Sequence, residues 1–258
     1  MTTRAARSAP RALPAAAPHS RTSFPPRARP RTLLLLLPLL LLGAAQPLVT
    51  PAFEQWHRQY DKRVLQPLPG ADMADLVGNP REIDFDVHSD PAEEIYAVTF
   101  ADLHAVYPVS FETLRDTILD LDSHKDFVPR VVSSNAEPTG DDPPSWRQHV
   151  RLKFRFLIFS ADYSFDTRHL VARDDHKEFT LLFRMVESHD RMLADSGGSW
   201  YLKRVDIDGT EHTYVRYFNH AAFGRRILGL RLALRNFGLR DIKSVMDAYY
   251  QEARTRTP

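Results

Sequence analysis

The sequence predicts an α+β protein in which a run of antiparallel strands is closed by a long C-terminal helix. From residue 131 onward, apolar residues recur with period two through five or so segments separated by turn residues. From Ile227 onward they recur at helical spacing: Ile227, Leu230, Leu234 and Phe237, then Leu239, Ile242, Val245, Met246 and Tyr249. The third observation is the order. Strands do not alternate with helices, so a parallel sheet of βαβ units is not expected. Gly238 interrupts the helical stretch, which predicts a short basic amphipathic piece over residues 223–237 and a terminal helix over 239–252. A helix this apolar must lie against something, and half-buried strands offer it one face of a sheet.

Composition bounds the possibilities. The chain has 258 residues, 43% hydrophobic and 26% charged, enough for one sizeable core with appendages. Its net charge of +1 hides an asymmetry: residues 1–45 hold seven Arg and no acid, and the rest holds 27 Lys and Arg against 33 Asp and Glu. A mildly acidic body argues against a general nucleic-acid binder, which needs a concentrated basic surface. Cysteine is absent, which excludes disulfides, thiolate metal sites and a Cys nucleophile.

The elements follow in order. Residues 1–31 are rich in Arg, Pro and Ala and lack periodicity, and residues 33–42 are Leu broken only by Pro38. A basic flank, a short apolar run and the small residues Gly43, Ala44 and Ala45 behind it read as an export signal cleaved near Ala45. The alternative is an uncleaved anchor over residues 33–49. Phe53, Trp56, Tyr60 and Val64 form one stripe of a short helix, after which Pro67, Pro69, Gly70 and Pro80 break regular structure. Residues 46–92 are therefore expected to be a helix and linker, and residues 93–254 the main domain. Residues 93–107 read as a first strand. Ser110 is a plausible N-cap for a helix with the stripe Phe111, Leu114, Ile118 and Leu121. Residues 146–158 alternate most cleanly, with Val150, Leu152, Phe154, Phe156 and Ile158 on one side and Arg147, His149, Arg151, Lys153 and Arg155 on the other. Residues 160–168 set Asp162 and Asp166 across from that basic face as a hairpin partner. Segments 178–187, 196–206 and 211–221 continue the meander, with turns at Asp174-Asp175, residues 188–190 and Asp208-Gly209.

Three places carry a family resemblance. Residues 109–114 lead into Leu121-Asp122-Ser123-His124-Lys125-Asp126-Phe127-Val128-Pro129, a helix ending in an hxxFxP-like turn. Gly198-Ser199-Trp200 with Thr213-Tyr214-Val215-Arg216-Tyr217 forms a G-x-W strand and a T-x-V-x-Y partner, and residues 238–243 open the terminal helix. Together these resemble the START-like (SRPBCC) superfamily, in particular its polyketide cyclase and coenzyme-Q-binding branch, over residues 93–252. The resemblance implies a helix-grip fold, a curved antiparallel sheet wrapped around the C-terminal helix. It also implies a hydrophobic cavity for a lipid, sterol, quinone or polyketide; separately, no cofactor is expected. The aromatic inward side of residues 146–165 is compatible with such a cavity or with a filled core.

Catalytic and metal chemistry is thinly supported. No H-E-x-x-H or clustered Cys/His spacing occurs, so no metal ligands are assigned. Asp102 and His104 share a strand face, and Asp174-Asp175-His176 sits at a turn; the plainer reading of both is solvated groups, the alternative an acid–base or metal role. Ser164 and Ser199 lack a nucleophile elbow, and Gly197-Gly198 reads as a turn rather than a phosphate loop. Arg225, Arg226, Arg231 and Arg235 border the apolar arc of residues 223–237. That pattern fits a lid resting on an anionic bilayer, an Arg reaching an acidic ligand head group, or a surface helix with snorkelling Arg.

The expected function is binding or transport of a hydrophobic small molecule outside the cytoplasm. The cavity is expected to be lined by Phe127, Leu152, Phe154, Phe156, Trp200, Tyr217, Phe237 and Ile242, with Arg231 near the ligand. The parity of the last strands leaves Tyr201 or Tyr214 as substitutes for their neighbours. A polyketide cyclase- or dehydratase-like enzyme is the second reading, and a membrane-tethered interaction protein with a filled core the third.

Overall fold

The computed structural model describes residues 62–90, 95–156 and 159–256. The expected export segment and the stripe at Phe53, Trp56 and Tyr60 lie outside these residues. Among the described residues no helix is long and apolar enough to cross a membrane.

Eight strands form one antiparallel sheet: β1 (Arg81–Asp90), β2 (Ile95–Tyr107), β3 (Val131–Pro138), β4 (Ser145–Phe156), β5 (Phe159–Asp174), β6 (Glu178–Ser188), β7 (Leu193–Ile207) and β8 (Thr210–Phe223). The order across the sheet is β1-β2-β8-β7-β6-β5-β4-β3, so β3 to β8 make a meander whose last strand returns to pair with β2. Helix α1 (Phe111–Leu119), a 3-10 turn (Leu121–Ser123) and a single turn α2 (His124–Phe127) bridge β2 to β3. Ser110 caps α1 as expected, its side chain accepting from the Thr113 amide at 3.2 Å. The terminal helix, α3, spans Leu230–Arg256.

Three expectations about the elements fail here. The chain between Pro80 and residue 90 is not a linker but strand β1, in which Ile83, Phe85 and Val87 alternate with charged residues. Gly238 does not divide the last helix either. A side chain there would stand 3.1 Å from Phe85 Cζ, so the glycine lets α3 run unbroken close over β1. The Gly197-Gly198 pair likewise lies inside β7 rather than in a turn, and Phe183 Cζ sits 2.4 Å from where a Cβ of Gly198 would be.

One face of the sheet is covered by α3 and the other is covered in part by the segment before β1. On the inner face α3 lays Met246, Tyr249 and Ala253 into a core shared with Leu103, Trp200, Leu202 and Phe111. On the outer face residues 62–80 lie over β2, β8 and β7, with Leu76 packed among Val106, Tyr201 and Tyr214, and Val64 against Phe218. Asp102 and His104 are on that outer face and are not solvated. Arg216 donates to both oxygens of Asp102, at 2.9 and 2.6 Å, and to the Gln66 carbonyl at 3.0 Å. Asp102 and Arg216 have only 6% and 4% of their side chains exposed, so this ion pair fastens the covering segment to the sheet. The Leu68 amide donates to the Tyr214 hydroxyl, which in turn faces His104 Nδ1 at 3.4 Å.

Candidate functional site

A cavity of about 270 Å³ lies between the inner face of the sheet and α3, and residues from all eight strands line it. That so many strands face one space requires the sheet to curl around the helix. The wall is built by alternation: Val150, Leu152 and Phe154 of β4 and Tyr163 and Phe165 of β5 point inward. Phe154 and Tyr163 stack with centroids 5.8 Å apart, and Trp200 stacks on Tyr217 at 4.1 Å. Ile242 and Val245 of α3 close the opposite side.

One end of the cavity is polar. His124, Gln148, His169 and Tyr249 line it and form one hydrogen-bonded seam. Carbonyl partners assign the protons. His124 Nε2 lies 3.2 Å from the Ile118 carbonyl and must donate, leaving Nδ1 to accept from Gln148 Nε2. Gln148 Nε2 also reaches the Leu121 carbonyl and Ser134 Oγ, at 3.1 and 2.8 Å, so its Oε1 faces His169 and accepts from Nε2 at 2.8 Å. His169 Nδ1 is then a bare acceptor, buried and without a hydrogen-bond partner. Burial pushes both imidazoles down, His124 to about 4 and His169 to about 3, so both are neutral near pH 7. The Tyr249 hydroxyl joins the seam 3.1 Å from His124 Nε2.

At the other end a smaller hollow of about 80 Å³ lies under the start of α3, lined by Ile227, Leu230 and Phe237 among others. Arg130, Phe154, Tyr163 and Asp241 border both spaces. Arg130, which follows α2 with φ of 70°, donates to Asp241 of α3 at 2.7 Å and sets its guanidinium 4.8 Å from the Phe154 ring centroid. This bridge ties the turn before β3 to the terminal helix where the two hollows meet.

The residues singled out from sequence are distributed as follows. Leu152, Phe154, Trp200, Tyr217 and Ile242 line the larger cavity, and Phe237 lines the smaller hollow. Trp200 and Tyr217 face inward, whereas Tyr201 and Tyr214 are on the outer face. Phe127 is not on the cavity wall; it packs edge-on against Tyr249 and His124, at 5.2 and 5.8 Å. Arg231 is half-buried on α3 and borders neither space. The side chain of Phe156 lies outside the described residues. Asp175 is a turn cap, accepting from the amides of Lys177 and Glu178 at 2.8 and 2.9 Å. Sequence reasoning missed the seam and the Arg130–Asp241 bridge, whose members come from segments far apart in the chain.

No family model matches the chain, and no curated protein matches it. Among solved structures it is similar to the Zhui aromatase/cyclase from Streptomyces sp. R1128, at 14% identity over 62% of this chain and 95% of that one, with a TM-score of 0.45. It is similar to a STAR-related lipid transfer protein fragment from Xanthomonas axonopodis, at 12% identity, 66% and 98% coverage and a TM-score of 0.47. Human STARD10 is a third, at 11% identity, 75% and 82% coverage and a TM-score of 0.48. The chain itself has an α+β, helix-grip architecture, an antiparallel sheet curled around its terminal helix.

Proposed function

We propose that the protein binds and carries an apolar small molecule, a lipid, isoprenoid or quinone-like compound, in the space under α3, outside the cytoplasm after export. The observation that supports this is the cavity itself: about 270 Å³, walled by stacked aromatics and aliphatic side chains, and not filled by them. That volume lies just below the roughly 300–1,000 Å³ of ligand pockets, which suits a small ring-shaped or single-tailed guest. Burying the guest's apolar body supplies the affinity at about 25 cal/mol per Å², and the seam at one end receives its polar atom. Native mass spectrometry and lipid extraction of the purified full chain test the reading. The expected result is an apolar compound at one per chain, displaced by narrowing the cavity with Val150→Trp. Recovery of no such compound, together with failure to bind a fluorescent fatty acid or a short-chain quinone while the fold is intact by circular dichroism, would sink it.

The neutral His124 and His169 support a second reading, a cyclase- or dehydratase-like enzyme in which one imidazole accepts a proton from a bound polyketone. Turnover of such a substrate that His124→Gln and His169→Gln abolish, without loss of binding, would favour it.

The start of α3 is proposed to meet an anionic bilayer. Leu228 and Leu232 are 86% and 65% exposed, and Arg225, Arg226 and Arg235 stand exposed around them. Leu228→Glu with Leu232→Glu is expected to abolish co-sedimentation with phosphatidylserine vesicles and leave the melting temperature unchanged. Equal binding by the wild type to neutral and anionic vesicles would refute the charge-based part.

A further inference from the structure

We propose that His149, Asp166 and His189, on the sheet face opposite the cavity, form a binding site for a divalent ion of the zinc type. His149 of β4 lies directly across the ladder from Asp166 of β5, and His189 sits in the turn after β6. His149 Nδ1 and His189 Nε2 each stand 2.8 Å from the same oxygen, Asp166 Oδ1. The three candidate ligand atoms lie within 4.8 Å of one another, a span that one ion with bonds of about 2.0–2.2 Å bridges with small side-chain rotations.

The surroundings favour this arrangement. Arg147 Nε holds the other carboxylate oxygen, Asp166 Oδ2, at 2.7 Å, so Oδ1 alone is turned to the imidazoles and the acid would bind through one atom. The His189 amide donates to the Ser164 carbonyl at 3.1 Å, which fixes the turn over the strand pair. Glu187 Oε1 stands 3.7 Å from His189 Nδ1, beyond hydrogen-bond reach but close enough that a side-chain rotation would bring it to the second nitrogen of a ligating imidazole. Two imidazoles and one carboxylate suit zinc, cobalt, nickel or copper and do not suit magnesium or calcium, which take oxygen ligands. All three side chains can be reached: His149 and His189 are exposed at 47% and 34% and Asp166 at 10%. Binding displaces a proton from each imidazole that carries one and breaks no covalent bond. Val150 and Phe165, the chain neighbours of His149 and Asp166, line the cavity, so an ion here would stiffen the wall on the far side of the same strands.

Zinc or cobalt titration of the untagged full chain, followed by calorimetry and by cobalt absorption, tests the site. The wild type is expected to take up one ion at this site and to show nitrogen-ligated cobalt bands. His149→Ala and His189→Ala should each weaken binding by more than about 100-fold, beyond the 10–100-fold typical for loss of an outer partner. Imidazole nitrogen NMR should report His149 bound through Nδ1 and His189 through Nε2, a signature that ions held elsewhere on the chain would not give. Because both histidines are partly exposed, these variants should keep the wild-type circular dichroism. Zinc uptake unchanged by both substitutions, or no uptake at micromolar zinc, would overturn the proposal and leave a hydrogen-bonded cluster around Asp166.

Discussion

At the scale of single residues, the outcome is governed by which polar groups are removed from water and what they meet there. Asp102 and Arg216 are both buried and satisfy each other through two hydrogen bonds. Asp102→Ala should cost about 3–5 kcal/mol in chemical denaturation, because it removes the carboxylate that accepts two hydrogen bonds from a buried guanidinium; a loss below about 1 kcal/mol would mean water reaches Arg216. His124 and His169 give a pH dependence with a definite sign. Both have an ordinary value of 6.5 and are held lower chiefly by burial, at about 4 and about 3; Arg256 lowers His124 further against Asp120 and Asp122, which raise it, and His124 lowers His169. The unfolded chain therefore binds more protons between those values. Their contribution is fully present above pH 6.5 and is lost as pH falls towards 4 and then 3, at up to about 1.4 kcal/mol per pH unit for each imidazole. Denaturant midpoints of the wild type and of His169→Gln between pH 7 and 4 should converge; parallel lines would refute the assignment. Much of this was not readable from the chain. Alternation placed Leu152 and Phe154 on one face, but no spacing rule links His124, Gln148, His169 and Tyr249. The parity at Trp200-Tyr201 stayed open because both neighbours are large aromatics that can fill either face.

At the scale of elements, two glycines decide how close the layers come. A Cβ on Gly198 would fall 2.1 Å from the Phe218 carbonyl oxygen, which belongs to the neighbouring strand and cannot move aside. Gly198→Ala should therefore cost at least about 3 kcal/mol in denaturant unfolding, the upper range for overpacking, and an unchanged midpoint would show that β7 and β8 separate easily. Gly238 misled the sequence reading because a glycine in a helix costs about 1 kcal/mol against alanine and normally marks an end; here contact with Phe85 explains it. Strand β1 had its own signal, three apolar residues alternating with charges from Arg81 onward, which the prolines upstream obscured. The Arg130–Asp241 bridge is about one-third exposed at each partner, so its worth in stability is small. Its position between the two hollows predicts a kinetic effect instead. Asp241→Asn should speed release of a bound fluorescent fatty acid several-fold in stopped flow and leave the melting temperature within a degree or two; equal release rates would show that guests leave by another route.

At the scale of the whole molecule, the α+β class, the helix cap and the meander were legible because each rests on local periodicity. The covering of the outer face by residues 62–80 was not, since it depends on contacts more than a hundred residues apart, such as Arg216 with Gln66. The cavity carries a prediction for the entire fold. A guest present at about 100 times its dissociation constant should stabilise the chain by about 2.7 kcal/mol, a rise of roughly 5–10 °C in melting temperature for a domain of this size. No shift with any apolar compound that binds would mean that the guest binds the unfolded chain equally well.

The pairing of β2 with β8, which sets Ala97 beside Phe223 and Tyr107 beside Thr213, has a consequence for how the protein comes into being. Strands β3 to β7 are joined as neighbouring hairpins, which local pairing should close early, whereas β2 cannot join them until β8 has been made. Until α3 follows, Trp200 and the aromatics of β4 and β5 have no helix to lie against, and the nascent chain should be at its stickiest just before α3 emerges. Truncation anywhere before α3 should thus yield not a smaller folded domain but a chain that aggregates.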